Sequence, residues 1–172
     1  ELGADLKFLD GRISLGATYY QNKIDGAILA VAVPASTGYT NQWANAAVLS
    51  NKGYELDFNV AVVKNDKLTW NIYGNVGSNK NLVESLSGVG NVFLAGFTGS
   101  SSRAVEGHQM GALWGGKWER NEDGSLKLDA NGFPQQAAEE GVIGDPNPTW
   151  RGGFGTNLTF KGITMNLLFE AC

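Results

Sequence analysis

Residues 53–79, GYELDFNVAVVKNDKLTWNIYGNVGSN, constrain the fold more than any other stretch of this 172-residue chain. They hold two runs of period-two alternation joined by a turn at Asn65 and Asp66. In the first run Tyr54, Leu56, Phe58, Val60 and Val62 fall on one face, and Glu55, Asp57 and Asn59 on the other. In the second, Leu68, Trp70, Ile72 and Val76 oppose Thr69, Asn71, Tyr73, Asn75 and Asn79. Side chains alternate across a strand, so the runs predict a hairpin with one apolar and one polar face. Each arm of about 12 residues, at roughly 3.3 Å per residue, spans roughly 40 Å. Soluble strands centre on about 5–6 residues, whereas a tilted bilayer-crossing strand takes about 9–11. Length, alternation and a tight turn together predict an outer-membrane β-barrel.

The composition agrees. Glycine supplies 24 of 172 residues, about double the usual share of roughly 7 %. These glycines lack the strict period of collagen, and the aromatic content is too high for a disordered chain. A net charge of −4 gives no electrostatic basis for a nucleic-acid partner. Cys172 is the only cysteine, so no intrachain disulfide forms. The longest apolar run, Ala27–Val33, has 7 residues and stops at Pro34, against about 20 for a membrane helix. Barrel strands carry their hydrophobicity in alternation, so that shortfall does not exclude a membrane. The sequence opens at Glu1 without a basic leader and closes at Cys172 within an alternating run, so both ends read as cut.

Two further hairpins follow from the same rules. ELGADLKF (1–8) and RISLGATYYQNK (12–23) flank Leu9-Asp10-Gly11, and WRGGFGTNLTF (150–160) and ITMNLLFE (163–170) flank Lys161-Gly162. Residues 24–50 and 80–149 then read as long connections, the second holding a hairpin of 105–120 with 125–129 about a turn at Asn121–Gly124. Short turns alternating with long loops suit a barrel, with the long loops outside the cell. The expected fold is all-β: one antiparallel, curved sheet of six to eight strands, a sector of a larger transmembrane barrel that cannot close alone.

These residues resemble the SusC/RagA-type TonB-dependent outer-membrane transporters of Bacteroidetes. The resemblance rests on ELGADLKFLDGRISLGATYYQNKIDGAI, NKGYELDFNV, LTWNIYGNVGSNKN, the turn EDG and VIGDPNPTWRGGFGTNLTFKGITMNLLFE. The last block, Ile-Gly-x-x-x-Pro-x-Trp followed by a hairpin, is the most specific. It implies that 1–172 is part of the C-terminal portion of the barrel, without plug domain or TonB box. It also implies active import of glycans or peptides, driven by the TonB complex and assisted by a SusD-type surface lipoprotein. The acidic turn that precedes the Ile-Gly block in the family is reduced here to Asn121-Glu122-Asp123-Gly124, and a bound cation is not carried over.

No residue set predicts catalysis, a cofactor or a metal. His108 stands without a second histidine, and Ser100–Ser102 lack a nucleophile elbow. Gly152, Gly153 and Gly155 match no nucleotide-binding fingerprint and suit strand curvature instead. Tyr39, Trp43, Phe97, Trp114 and Trp118 fall in loops or upper strands, where aromatics line the interfacial girdle or stack on a substrate. Tyr39, Trp43, Trp114 and Trp118 are the candidate substrate contacts. Glu55, Asp57, Asn59, Asn71, Tyr73 and Asn75 are expected to face the lumen. The alternative is a soluble β-sandwich carbohydrate-binding module, in which Tyr54, Leu56, Phe58, Leu68, Trp70 and Ile72 would be buried against a second sheet.

Overall fold

A computed structural model of the chain describes residues 1–97 and 99–172. It contains ten strands: β1 (Leu2–Phe8), β2 (Ile13–Ala32), β3 (Asn41–Lys64), β4 (Leu68–Ser85), β5 (Asn91–Phe97), β6 (Ser100–Val105), β7 (Ala112–Trp118), β8 (Gln136–Gly144), β9 (Arg151–Phe160) and β10 (Ile163–Ala171). The only helical element among the described residues is a 3₁₀ turn at Ala35–Thr37. The pairs β1–β2, β4–β9, β9–β10, β5–β6, β6–β7 and β7–β8 are antiparallel. Six strands form one sheet in the order β1-β2-β3-β4-β9-β10, and four form another in the order β5-β6-β7-β8. A single sheet was the expectation, so the count of sheets is corrected to two. The first does not close: β1 and β10 are its edges.

The chain divides into two compact units. One comprises Glu1–Lys23, Asn51–Lys80 and Pro148–Cys172; the other comprises Ile24–Ser50 and Asn81–Asn147. In the first unit the expected turns are present. Leu9, Asp10 and Gly11 adopt positive φ, as do Lys161 and Gly162, the latter pair forming the mirror-image turn that matches strand twist. At the third turn Asn65 Oδ1 accepts from the backbone N–H groups of Lys67 (3.0 Å) and Leu68 (2.8 Å). The register of β4 on β9 sets Trp70 opposite Leu158, Ile72 opposite Thr156 and Gly74 opposite Phe154. On β10, Met165, Leu167 and Phe169 continue that apolar face. Thr156 is its polar exception, and its hydroxyl is satisfied: it accepts from Trp70 Nε1 (2.8 Å) and donates to the Asn71 carbonyl (3.0 Å).

None of Tyr54, Leu56, Phe58, Leu68, Trp70 and Ile72 is buried, which removes the sandwich alternative. The buried residues of this unit are all glycines: Gly16, Gly53, Gly74 and Gly155. A neighbouring side chain occupies the space above each one, namely Asp57, Tyr20, Phe58 and Tyr73 in that order. Rings laid over strand glycines pin register and restore contact that the missing side chain would forfeit. The unit therefore has no apolar interior.

The second unit does have one, built from Leu29, Ala46, Ala47, Leu49, Val83, Leu86, Val92 and Ala104. Residues 24–50, expected as a connection, are mostly strand: β2 continues to Ala32, and β3 begins at Asn41. The run Ala27–Val33 lacks alternation, and Asn41–Ser50 is rich in Ala and Asn, which have low strand propensity. Burial of Leu29, Ala46, Ala47 and Leu49 overrides both.

The 105–120/125–129 hairpin is also corrected. The chain turns at 106–111, and β7 pairs with β8 rather than with 125–129. The Asn121–Gly124 turn itself is present, with Asn121 N–H donating to the Ser125 carbonyl (2.9 Å). Its return arm contributes the isolated bridges Arg120↔Leu126, back toward β7, and Leu128↔Pro134, onward to the next segment. The reason is a second reversal a few residues on, where Asp129 Oδ1 accepts from the N–H groups of Asn131 (2.8 Å) and Phe133 (2.9 Å).

Two open sheet edges and a broad exposed apolar face both favour association in water. The 172-residue polypeptide alone is expected to be insoluble in plain buffer and recovered only in detergent. A monodisperse, cooperatively unfolding monomer without detergent would contradict this.

Candidate functional site

Glu55, Asp57 and Asn59 lie on β3, and Asn71, Tyr73 and Asn75 on β4. Register places Asn71 opposite Asn157, Tyr73 opposite Gly155 and Asn75 opposite Gly153, on the face away from Trp70, Ile72 and Phe154. The Asp57 carboxylate covers Gly16, Glu55 packs beside Gly77, and Asn75 Oδ1 accepts from Gly153 N–H (2.9 Å). On the same face the Tyr20 hydroxyl donates to Asn79 Oδ1 (3.3 Å). The structure thus gathers the six polar candidates on one side of the sheet, where Glu55, Asp57, Tyr73 and Asn75 lie against glycines.

The second unit holds a different arrangement, centred on Arg103 of β6. Register sets Arg103 opposite Phe93 of β5, Ser101 opposite Trp114 of β7, and Gly116 opposite Glu140 of β8. Arg103 donates from Nε to Ser101 Oγ (3.0 Å) and from Nη1 to Asn91 Oδ1 (2.9 Å). Its guanidinium lies 4.9 Å from the centroid of a Trp114 ring, within cation–π range. Glu140 Oε2 accepts from Trp114 Nε1 (2.9 Å) and stands 4.0 Å from Arg103 Nη2. The cation is therefore held on three sides, and Ser101 is the buried polar residue beneath it. A concavity of about 430 Å³ opens beside the cluster, lined by Phe93, Gly96, Phe97, Gly99, Ser101, Arg103 and Glu140.

Of the candidate aromatics, Trp114 alone joins this cluster. Trp118, further along β7, is exposed. Tyr39 follows the 3₁₀ turn and Trp43 lies near the start of β3, both about three-quarters exposed (73 % and 74 %). No hydrogen bond or ring contact among the described residues joins these three to Trp114. Phe93, Ser101, Arg103 and Glu140 were not legible as a set, because only strand register brings them together. Ser-x-Arg in β6 was the sole local hint. His108 is exposed in a turn, where its carbonyl accepts from Val83 N–H (2.9 Å). Asp123 accepts from both the side chain and the backbone of Ser125, which holds its carboxyl below the usual aspartate range. It acts as a turn clasp.

An open antiparallel sheet that, in the first unit, is apolar and exposed on one face, polar on the other and without an apolar interior, defines a sector of a transmembrane β-barrel wall. The sequence matches the TonB dependent receptor-like, beta-barrel family over residues 1–167, and the chain belongs to that family, of the SusC/RagA type. It is 27 % identical to TonB-dependent receptor P3 of Formosa agariphila over 195 aligned residues, covering 99 % of this chain and 20 % of that protein. Against TonB-dependent receptor SusC of Bacteroides thetaiotaomicron it is 32 % identical over 87 residues, half of this chain and 9 % of that protein. The solved RagAB peptide transporter shares the fold, with a TM-score of 0.74 at 18 % identity over 98 % of this chain and 20 % of that one. The chain thus spans about a fifth of the length of receptor P3 and of the RagAB transporter chain.

Proposed function

We propose that the chain is part of the barrel wall and extracellular loops of a TonB-dependent importer in the outer membrane, with glycans or peptides as cargo. Membership of the receptor family supports this. The observation that carries it is the first unit's sheet, whose exposed apolar face suits lipid and whose polar face, with Glu55, Asp57, Asn59, Asn71, Tyr73 and Asn75, suits a wet lumen. Residues 1–172 belong to the C-terminal portion of a barrel of about 22 strands, with the plug and the TonB contact supplied by other parts of the protein. The protein works with a SusD-type lipoprotein and carries out no bond chemistry. Tyr39, Trp43, Trp114 and Trp118 are the proposed cargo contacts in the loops. In cells that depend on the full-length protein for one nutrient, deleting TonB should abolish uptake while the barrel remains assembled. Uptake that persists without TonB would overturn the proposal.

A further inference from the structure

Arg103 of β6 presents a guanidinium that is fixed in place but not neutralised by a direct contact. Its two hydrogen-bond acceptors, Ser101 Oγ (3.0 Å) and Asn91 Oδ1 (2.9 Å), are both uncharged. Ser101 is buried beneath it and the Trp114 ring backs it at 4.9 Å, so the fork is held in one orientation. Glu140 leans toward it from β8. Glu140 Oε2 accepts from Trp114 Nε1 (2.9 Å) but lies 4.0 Å from Arg103 Nη2, too far for a direct hydrogen bond. The two charges therefore stand side by side without closing on each other, and their side chains stay 25 % and 48 % exposed. A hydroxyl group suits that gap, because it accepts from an N–H and donates to a carboxylate at once.

Register puts Phe93 directly opposite Arg103, and its ring is half exposed. Strand alternation sets Asn91, Phe93, Ser101, Arg103, Trp114 and Glu140 on one face of the four-stranded sheet. Phe93, Ser101, Arg103 and Glu140 line the concavity of about 430 Å³, a volume within the range of small-molecule sites. An exposed aromatic ring beside convergent donors and acceptors matches the two surfaces of a sugar, its C–H face and its hydroxyl rim. Charge then selects among saccharides. Glu140 opposes an anion placed here, and so does the field of a unit with 4 basic against 10 acidic side chains. A cationic ligand would confront Arg103 itself.

We propose that this face of β5–β8, centred on Arg103, is a saccharide subsite selective for neutral glycans. An oligosaccharide lays one ring against Phe93 and sets a hydroxyl between Arg103 Nη2 and the Glu140 carboxylate. The inference rests on the import reading, in which that glycan is cargo.

The test titrates the full-length protein in detergent micelles, by calorimetry, with neutral hexasaccharides of the gluco, galacto, manno and xylo series. Hexagalacturonate and a mixed pool of hexapeptides serve as comparisons. A neutral hexasaccharide should bind, and hexagalacturonate should bind about tenfold more weakly, since its carboxylates meet Glu140. Phe93→Ala should weaken the neutral sugar about fivefold, and Phe93→Trp should restore it. Glu140→Gln keeps an acceptor for Trp114; it should weaken the neutral sugar about fivefold yet strengthen hexagalacturonate. A merely structural lesion would not move the two ligands in opposite directions. Binding of no neutral hexasaccharide, of peptides alone, or of hexagalacturonate as tightly as the neutral sugars would overturn the subsite. Sugar affinity unchanged by both Phe93→Ala and Glu140→Gln would overturn it as well, because the sugar would then sit elsewhere. TonB-dependent uptake accompanied by any of these results would sink the subsite alone; TonB-independent uptake would sink the import reading instead.

Discussion

Phe58→Arg and Ile72→Arg are expected to reduce sharply the folded fraction of the full-length protein in outer membranes, whereas Asn59→Arg and Asn71→Arg assemble nearly as well as the parent. Phe58 packs against the Phe154 ring, with centroids 6.5 Å apart, on the apolar face that also carries Ile72. Charge on a lipid-facing strand position costs about 2–4 kcal/mol near the bilayer midplane and little near the interfaces. At the upper figure, an equilibrium constant shifts by roughly a thousandfold. Asn59 and Asn71 occupy the opposite face, where a long cation keeps its hydration. Heat-modifiable gel migration of the four variants reads the folded fraction directly. Equal assembly would mean that the faces are reversed or that lipid does not surround this sheet.

Gly53→Ala should be the most damaging of the alanine substitutions at the buried glycines, and it should resist rescue. A methyl group at Gly53 would overlap the Ser78 carbonyl oxygen as well as the Tyr20 ring. Overpacking typically costs about 1–3 kcal/mol, and here the backbone itself must move. At Gly155 the nearest overlap is with the Tyr73 ring, which can swing aside. A double-mutant cycle separates the two cases. Tyr73→Ala should remove most of the penalty of Gly155→Ala, while Tyr20→Ala should leave most of the penalty of Gly53→Ala. The readout is the urea midpoint for loss of the compact gel band. Equal rescue at both sites would show that the Ser78 carbonyl does not limit the approach.

The wall was legible because its signal is local. Alternation from Tyr54 to Val76 fixed the strands, and Asn65-Asp66, Leu9-Asp10-Gly11 and Lys161-Gly162 fixed the turns. The second unit was not legible, because burial decides its strands. Ala46 and Ala47 are weak strand formers that become strand by packing with Leu29, Val83 and Leu86. The β7–β8 pairing was hidden for another reason: Asp129 makes a second turn so soon after Gly124 that a distant segment takes the ladder. The Arg103 cluster draws on β5, β6, β7 and β8, and so only register reveals it. The family resemblance supplied the class of protein, but it could not supply that geometry.

The first unit's want of an apolar interior changes what its thermal stability depends on. In a water-soluble domain the melting temperature reports side chains withdrawn from solvent; here the buried positions are Gly16, Gly53, Gly74 and Gly155. Cohesion comes from the backbone ladder, and the transfer term belongs to whatever hydrocarbon touches Leu56, Phe58, Trp70 and Phe154. Detergent chain length therefore acts on this sheet as core composition acts on a soluble protein. A shorter alkyl tail that fails to cover the strands is equivalent, for this wall, to truncating many side chains at once.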